Sequence, residues 1–365
     1  MRLFRPAART TAATLCLLGA ALGVGPTKTT PADAAQLIEA GHFKKARAIV
    51  DPRYRANPND AESLYLEARI KNAFGAPDEA IKLAERALEL DKKNVNYHGA
   101  LAQLYGDKAK QAGFIEQIVL ARRVKGHLDD AIALDPRNWQ TRDGLVQFYL
   151  LAPGIVGGDK AKAQQIADQA VKDDPAHGWL LQARIALENK DVTKAESGYL
   201  SALKADPQSY AATIALSNFY LQDTVKKYDL AEKYARDAMK LDPGRTTGYS
   251  LLAAQMVYSG KVGAELDALL ALAEKANPDD WTPYYVAGRT LVVVGKDFDR
   301  AERYLRKYLS QEAEGGAPKH AYAHWRLGQM YQKSGKNEQA IAEFETCLRA
   351  EPSFEPAKKD LKALK

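Results

Sequence analysis

Few residues in this 365-residue chain stand at spacings that chemistry would use, and each has a plainer role competing with it. Of the six histidines, His320 and His324 alone sit four apart, a helical spacing that would turn both rings toward one metal ion. The intervening Ala321-Tyr322-Ala323 lacks the glutamate of H-E-x-x-H, and no third ligand lies near in sequence. Both are therefore read as packing residues, and no metal is assigned. Ser201-Ala202-Leu203-Lys204 matches S-x-x-K, yet the S-D-N and K-T-G segments that such a nucleophile works with are missing. Ala152-Pro153-Gly154-Ile155-Val156-Gly157-Gly158-Asp159-Lys160 would present backbone N–H groups to an anion if it opened a helix. The Walker spacing is absent, and Asp159 reads better as a helix N-cap, where its charge would repel phosphate. No G-x-S-x-G, C-x-x-C or dinucleotide fingerprint occurs. The chain is read as a non-enzyme, with no catalytic residue and no cofactor.

Whatever function exists must then reside in surfaces, and composition bounds them. Hydrophobic residues make up 46%, charged residues 27%, and the mean hydropathy is −0.40, the profile of a folded, water-soluble protein. The net charge of +6 is uneven: Arg2, Arg5, Arg9 and Lys28 against Asp33 put +3 into the first 34 residues. The +3 left for the remainder is too weak a field to argue for nucleic acid.

The same three arginines precede an apolar run, Thr11 to Val24, of secretory-signal length and short of the roughly 20 residues a membrane span needs. Two small-x-small cleavage motifs follow, Gly19-Ala20-Ala21 and Ala32-Asp33-Ala34, and the second is preferred, giving a signal peptide over 1–34. Lipidation at Cys16 is disfavoured by Leu15, which stands where a small residue is expected. Export to a bacterial periplasm, or secretion, is the expected destination, with no integral membrane span in the mature chain. Loss of Cys16 would leave Cys347 alone and the mature chain without an internal disulfide.

Beyond the signal, Pro58, Pro136, Pro175, Pro207, Pro243, Pro278, Pro318 and Pro352 recur near the ends of helical stretches, with Lys92 filling one vacant place. Their spacing is a 34-residue period widened by insertions. Several close one phrase, as in Ala131-Ile132-Ala133-Leu134-Asp135-Pro136 and Met239-Lys240-Leu241-Asp242-Pro243. Proline ends a helix because it donates no backbone hydrogen bond and disfavours the helical conformation of the residue before it. A second mark is a turn followed by alanine: Gly41-His42-Phe43-Lys44-Lys45-Ala46 lies 34 residues before Gly75-Ala76-Pro77-Asp78-Glu79-Ala80. Each period thus predicts two antiparallel amphipathic helices, for example 62–74 and 77–90.

The last full period carries Leu327, Gly328, Tyr331, Ala340, Phe344 and Pro352 at the spacing W-x2-L-G-x2-Y…A-x3-F…P, with His324 where the pattern has Trp. In this the chain resembles the tetratricopeptide repeat (TPR) family over about nine periods, from Ala32 to Pro352. The resemblance implies an all-α fold, an α-solenoid in which helix-turn-helix repeats stack into a right-handed superhelix with a concave groove. The solenoid is placed at 35–352 and a capping helix at 353–365. Extra residues near 108–130 are expected to lengthen both helices of the third pair by about a turn and a half, and a second insertion falls at 152–160.

In the family the first helix of each pair lines the groove. Carried over, that places Tyr65, Arg69, Asn72, Gln103, Asp143, Gln147, Arg184, Asn218, Gln222, Tyr258, Tyr285, Arg289, Tyr322, Trp325, Gln329 and Lys333 on the inner wall. Aromatic and arginine side chains are frequent interface anchors, and amides suit an extended backbone. The function expected is an exported scaffold that binds a protein or peptide segment. The alternative is an assembly or chaperone factor of the bacterial envelope, serving outer-membrane or secreted proteins.

Overall fold

The computed structural model describes residues 30–110 and 112–365. Among them nineteen α-helices follow one another: α1 (Pro31–Glu39), α2 (Phe43–Ala56), α3 (Ala61–Ala73), α4 (Pro77–Leu90), α5 (Val95–Ala109), α6 (Phe114–Leu134), α7 (Trp139–Leu151), α8 (Lys160–Asp173), α9 (Pro175–Glu188), α10 (Val192–Ala205), α11 (Tyr210–Leu221), α12 (Tyr228–Leu241), α13 (Thr246–Tyr258), α14 (Ala264–Ala276), α15 (Thr282–Val294), α16 (Phe298–Leu309), α17 (His320–Lys333), α18 (Asn337–Ala350) and α19 (Glu355–Lys362). They form nine successive hairpins and a terminal helix, so the all-α stack of paired helices expected from the period is what folds.

Local chemistry sets the boundaries. Side chains of Asp60, Asn94, Asn138, Asp159, Asp174, Asp191 and Ser209 cap helix N-termini by accepting a backbone N–H from the first turn. Most of the periodic prolines fall in the turns between hairpins, with Pro58, Pro136 and Pro207 just upstream of such a cap, whereas Pro175 is the first residue of α9. Within hairpins the chain reverses at Gly41, Gly75 and Gly335, whose φ values of 82°, 86° and 72° are left-handed.

Packing follows the repeat. Ala46, Ala80, Ala163, Ala195, Ala231, Ala301 and Ala340 each sit near the start of a second helix with no exposed surface. Across from them the first helix also goes small at places: a Cβ built on Gly328 would lie 2.4 Å from the Phe344 ring. At the C-terminus α19 seals the last hairpin by burying Ala357 against Ala321 and Cys347. That burial pushes the Cys347 thiol up to about 11.

Two features depart from the sequence-based expectation. The third hairpin is lengthened in one helix: α6 has 21 residues while α5 has 15, because α5 ends at Ala109 and the run from Phe114 onward joins α6. The stack also comes round on itself. The start of α2 docks on the turns that lead into α15 and α17, across 235 to 270 residues of sequence. Arg47 forms a two-pronged pair with Glu312, the Lys44 ammonium donates to the Asp279 carbonyl at 2.7 Å, and Asn277 Nδ2 lies 3.1 Å from His42 Nδ1. The Gly316 N–H donates to the Ala73 carbonyl at the end of α3. An open curve is thereby closed into a full turn, edge resting on edge.

At the centre of that contact Glu314 is 4% exposed. Its Oε1 accepts from the Lys44 and Gly315 N–H groups, while its Oε2 has no partner. Burial pushes this carboxyl up to about 7 from the usual 4.5. A folded-state value above the unfolded one means that the group favours the closed fold below pH 4.5 and withdraws that support as pH rises through about 7. The melting temperature of the wild type should therefore fall relative to that of Glu314→Gln as pH rises from 4.5 through about 7, measured by parallel thermal melts. Parallel curves for the two proteins would contradict the assignment. Independently, Gly328→Ala should cost about 1–3 kcal/mol in denaturant unfolding, since the added methyl meets the buried Phe344 ring.

Candidate functional site

Odd-numbered helices touch the next odd one through most of the stack, as in α1 with α3, α5 with α7 and α13 with α15. Even-numbered helices meet at longer reach, through side-chain ion pairs such as those of Arg300 and Arg303 of α16 with Asp267 of α14 and of Arg306 with Glu343 of α18. The odd helices thus form the inner wall, which is where the sequence reading puts its groove residues.

Much of that wall is already tied together. Arg69 Nη1 lies 2.6 Å from Glu39 Oε1 and 3.4 Å from the Tyr65 hydroxyl. Asn72 reaches Asp107 at 3.5 Å. Asp143 accepts from Gln147 at 2.7 Å and pairs with Arg184 of the next inner helix at 3.0 Å. The Lys333 ammonium caps the Val292 carbonyl at the end of α15. Trp325 Nε1 and Gln329 Nε2 both donate to Asp360 of α19, and Phe354 packs on the Trp325 and Tyr322 rings, so the cap helix covers this end. Tyr285 is not a wall residue. At 5% exposure it belongs to the core, with its ring 5.3 Å from Tyr308, because α15 is rotated to bury that position in the seam with α16.

What stands free is a shorter set. Gln103 and Asn218 are exposed and Gln222 half-exposed, while Tyr258 is exposed and stacked on Tyr228. Arg289 lies over the Tyr285 ring and has no carboxylate within ion-pair distance among the described residues. Arg326, from the next inner helix, bonds to Gln329 and stacks 4.0 Å over Trp325. Burial pulls its guanidinium below the usual range, and the Arg289 charge adds to that pull. Among the described residues, then, two arginine side chains face one region of the wall with no ion-pair partner of their own.

The two insertions meet on another surface. Helix α6 reaches a 3-10 turn at Gly154–Val156, and Phe114, Ile115, Val119, Leu151 and Ile155 are exposed. Phe114 and Val119 stand on the exposed side of the lengthened α6, whereas Leu120 of the same stretch is buried. In the glycine-rich loop Asp159 caps α8, and the Gly157 and Gly158 N–H groups donate to the Gly154 and Pro153 carbonyls. They are not available to an anion.

The histidines regroup as well. His324 bonds to Glu343 at 2.6 Å across the last hairpin, and His320 packs edge-on against Tyr308. A different set converges: His98 near the start of α5 with His127 and Asp130 on α6, all ligand atoms within 4.8 Å of one another. Sequence reasoning passed over it because its members lie on two helices joined by the enlarged third hairpin. The signal present was His127-x-x-Asp130, one helical turn apart.

Comparison with known proteins adds the following. Three family models described as tetratricopeptide repeat match residues 37–104, 156–210 and 321–354. The model described as regulator of microtubule dynamics protein 1-3 matches residues 76–142. No curated protein sequence matches. Among solved structures, a thermophilic TPR protein of Thermus thermophilus is 20% identical with a TM-score of 0.45, covering 59% of this chain and 100% of its own. Yeast Tom70 is 14% identical with a TM-score of 0.49, covering 91% and 80%. The human IFIT1 dimer with m7Gppp-AAAA is 16% identical with a TM-score of 0.46, covering 87% and 80%. With matches at 37–104, 156–210 and 321–354 along a stack of helical hairpins, the chain carries tetratricopeptide repeats.

Proposed function

We propose that this protein is an exported scaffold whose inner wall holds an extended segment of another protein, with a carboxylate of that segment seated between Arg289 and Arg326. The observation that carries the reading is the pair of guanidiniums on α15 and α17, neither in an ion pair among the described residues, beside the rings of Trp325 and Tyr285. A guanidinium offers a fixed fork of donors that matches a carboxylate, and partial burial strengthens the attraction. Gln103, Asn218 and Gln222 would bond the backbone of the same segment along the wall. Arg69 and Arg184 contribute less, since Glu39 and Asp143 already occupy them.

Export rests on the positive start and apolar run of the first 24 residues, which lie outside the described residues. A cut after Ala34 would sever α1, remove the capping box that Thr30 and Asp33 form, and take away a wholly buried residue. The Gly19-Ala20-Ala21 motif leaves that helix whole and is the cut we favour. A second reading, a chaperone-like factor for unfolded envelope proteins, is favoured by the exposed apolar cluster of Phe114, Ile115, Val119, Leu151 and Ile155.

The binding claim is checked with a peptide library displayed with free and amidated C-termini. Enriched peptides should carry an acidic side chain or free carboxylate, and binding should weaken with added salt. The triple variant Gln103→Ala, Asn218→Ala, Arg289→Ala should lose at least about tenfold in affinity while helical content and melting stay unchanged. Undiminished binding by this variant would count against the inner wall. Enrichment of purely apolar peptides, lost in Phe114→Ser with Ile115→Ser, would favour the second reading. For export, N-terminal sequencing of protein from fractionated cells should find the chain beginning upstream of Thr30 in the periplasmic fraction; an intact Met1 in the cytosolic fraction would overturn that part.

A further inference from the structure

We propose that the third hairpin binds one divalent transition-metal ion, zinc(II) in the first instance, between His98 Nδ1, His127 Nδ1 and the Asp130 carboxylate. The two Nδ1 atoms are 3.2 Å apart, and Asp130 Oδ2 lies 3.7 Å from His98 Nδ1. Ligand bonds of about 2.0–2.1 Å arranged tetrahedrally place neighbouring ligand atoms roughly 3.3–3.4 Å apart. The His98–His127 separation already matches that spacing, and the Asp130 carboxylate stands within 4.8 Å of both rings' ligand atoms.

The chemistry of each group agrees. His98 is 6% exposed, and its Nε2 faces the Lys92 carbonyl at 3.1 Å. A carbonyl oxygen only accepts, so Nε2 carries the proton and Nδ1 presents its lone pair inward. An outer N–H held by a backbone carbonyl is the usual support of a metal-binding histidine, since it fixes both tautomer and ring. His127 is half-buried on α6. Its ring is set by stacking on Tyr105, 5.7 Å between centroids and 12° from parallel. The Tyr105 hydroxyl is in turn fixed by Glu85 and Arg123. That bond keeps the Arg123 guanidinium engaged at Tyr105.

Placement on the fold explains why two helices suffice. His127 and Asp130 are three residues apart and share one face of α6. His98 lies in the first turns of α5, which Asn94 caps. The ion would join the start of α5 to the second half of α6, the longest helix among the described residues, at a point far from the inner-wall arginines in sequence. Two imidazoles and one carboxylate suit zinc, copper, nickel and cobalt rather than magnesium or calcium, which take oxygen ligands. Three protein ligands leave a fourth position, and Asp130, 65% exposed, puts that position at the solvent edge, open to water or to a side chain of a partner.

The test uses the full chain without an affinity tag, freed of metal by a chelator and titrated with zinc(II) by calorimetry, with cobalt(II) as an absorbing probe. One ion per chain should bind, with the visible bands of a tetrahedral cobalt site and a raised melting temperature. His127→Gln should abolish binding, and Asp130→Asn should weaken it by about tenfold or more. Because His98 is buried, its substitution is left out of the comparison. The metal-free melting of His127→Gln shows whether that variant is folded. His320→Gln with His324→Gln should bind as the wild type does, which separates this site from the other histidine pair. Absence of zinc uptake by the folded wild type, or unchanged uptake in folded His127→Gln, would overturn the proposal.

Discussion

The close approach of two helices at a small residue is the constraint from which the rest of this structure follows. Seven alanines with no exposed surface recur near the start of second helices, and Gly328 meets the Phe344 ring where no methyl would fit. Such a seam buries one face of each helix and leaves the others uncovered, so a hairpin is stable only against its neighbours. Stacking supplies the cover in the middle of the array. At the C-terminus α19 supplies it, with Ala357 closing over Cys347 and Ala321.

Closure is what distinguishes this stack from a one-dimensional array. Contacts between Lys44, Arg47 and His42 on one side and Asn277, Asp279, Glu312 and Glu314 on the other couple the first hairpin to the seventh and eighth. They require the ordering of the whole intervening chain, an entropic cost that rises only slowly with loop length. Closure also fixes where the odd helices face. The inner wall becomes a bounded surface, partly stitched by its own ion pairs, in which Arg289 and Arg326 keep donors to offer.

The hairpins were legible in sequence because their signals are local. A proline and a capping Asx side chain mark one turn, a left-handed glycine the other, and these act within a few residues. The bounds of α4 and the cap by Asp159 could be read that way. The split of the third hairpin could not: the run from Lys108 to Asp130 is helical in pattern throughout, and periodicity does not say at which residue the chain turns back. Nor could the burial of Tyr285, since a rotation of one residue about α15 moves a side chain from wall to seam. Closure depends on small rotations accumulated over seven hairpins. The cluster of His98, His127 and Asp130 depends on the register of α5 against α6, which the enlarged turn sets.

The central claim is that the seam turns the odd-numbered helices inward and makes them the face that meets another molecule. Amide hydrogen exchange, followed along the whole chain with and without a bound carboxylate-bearing peptide, tests this most directly. Slowed exchange should appear on α9, α11, α13, α15 and α17 and leave the outer even-numbered helices unchanged. Protection confined to the even-numbered helices, with the inner wall exchanging as in the free protein, would contradict it.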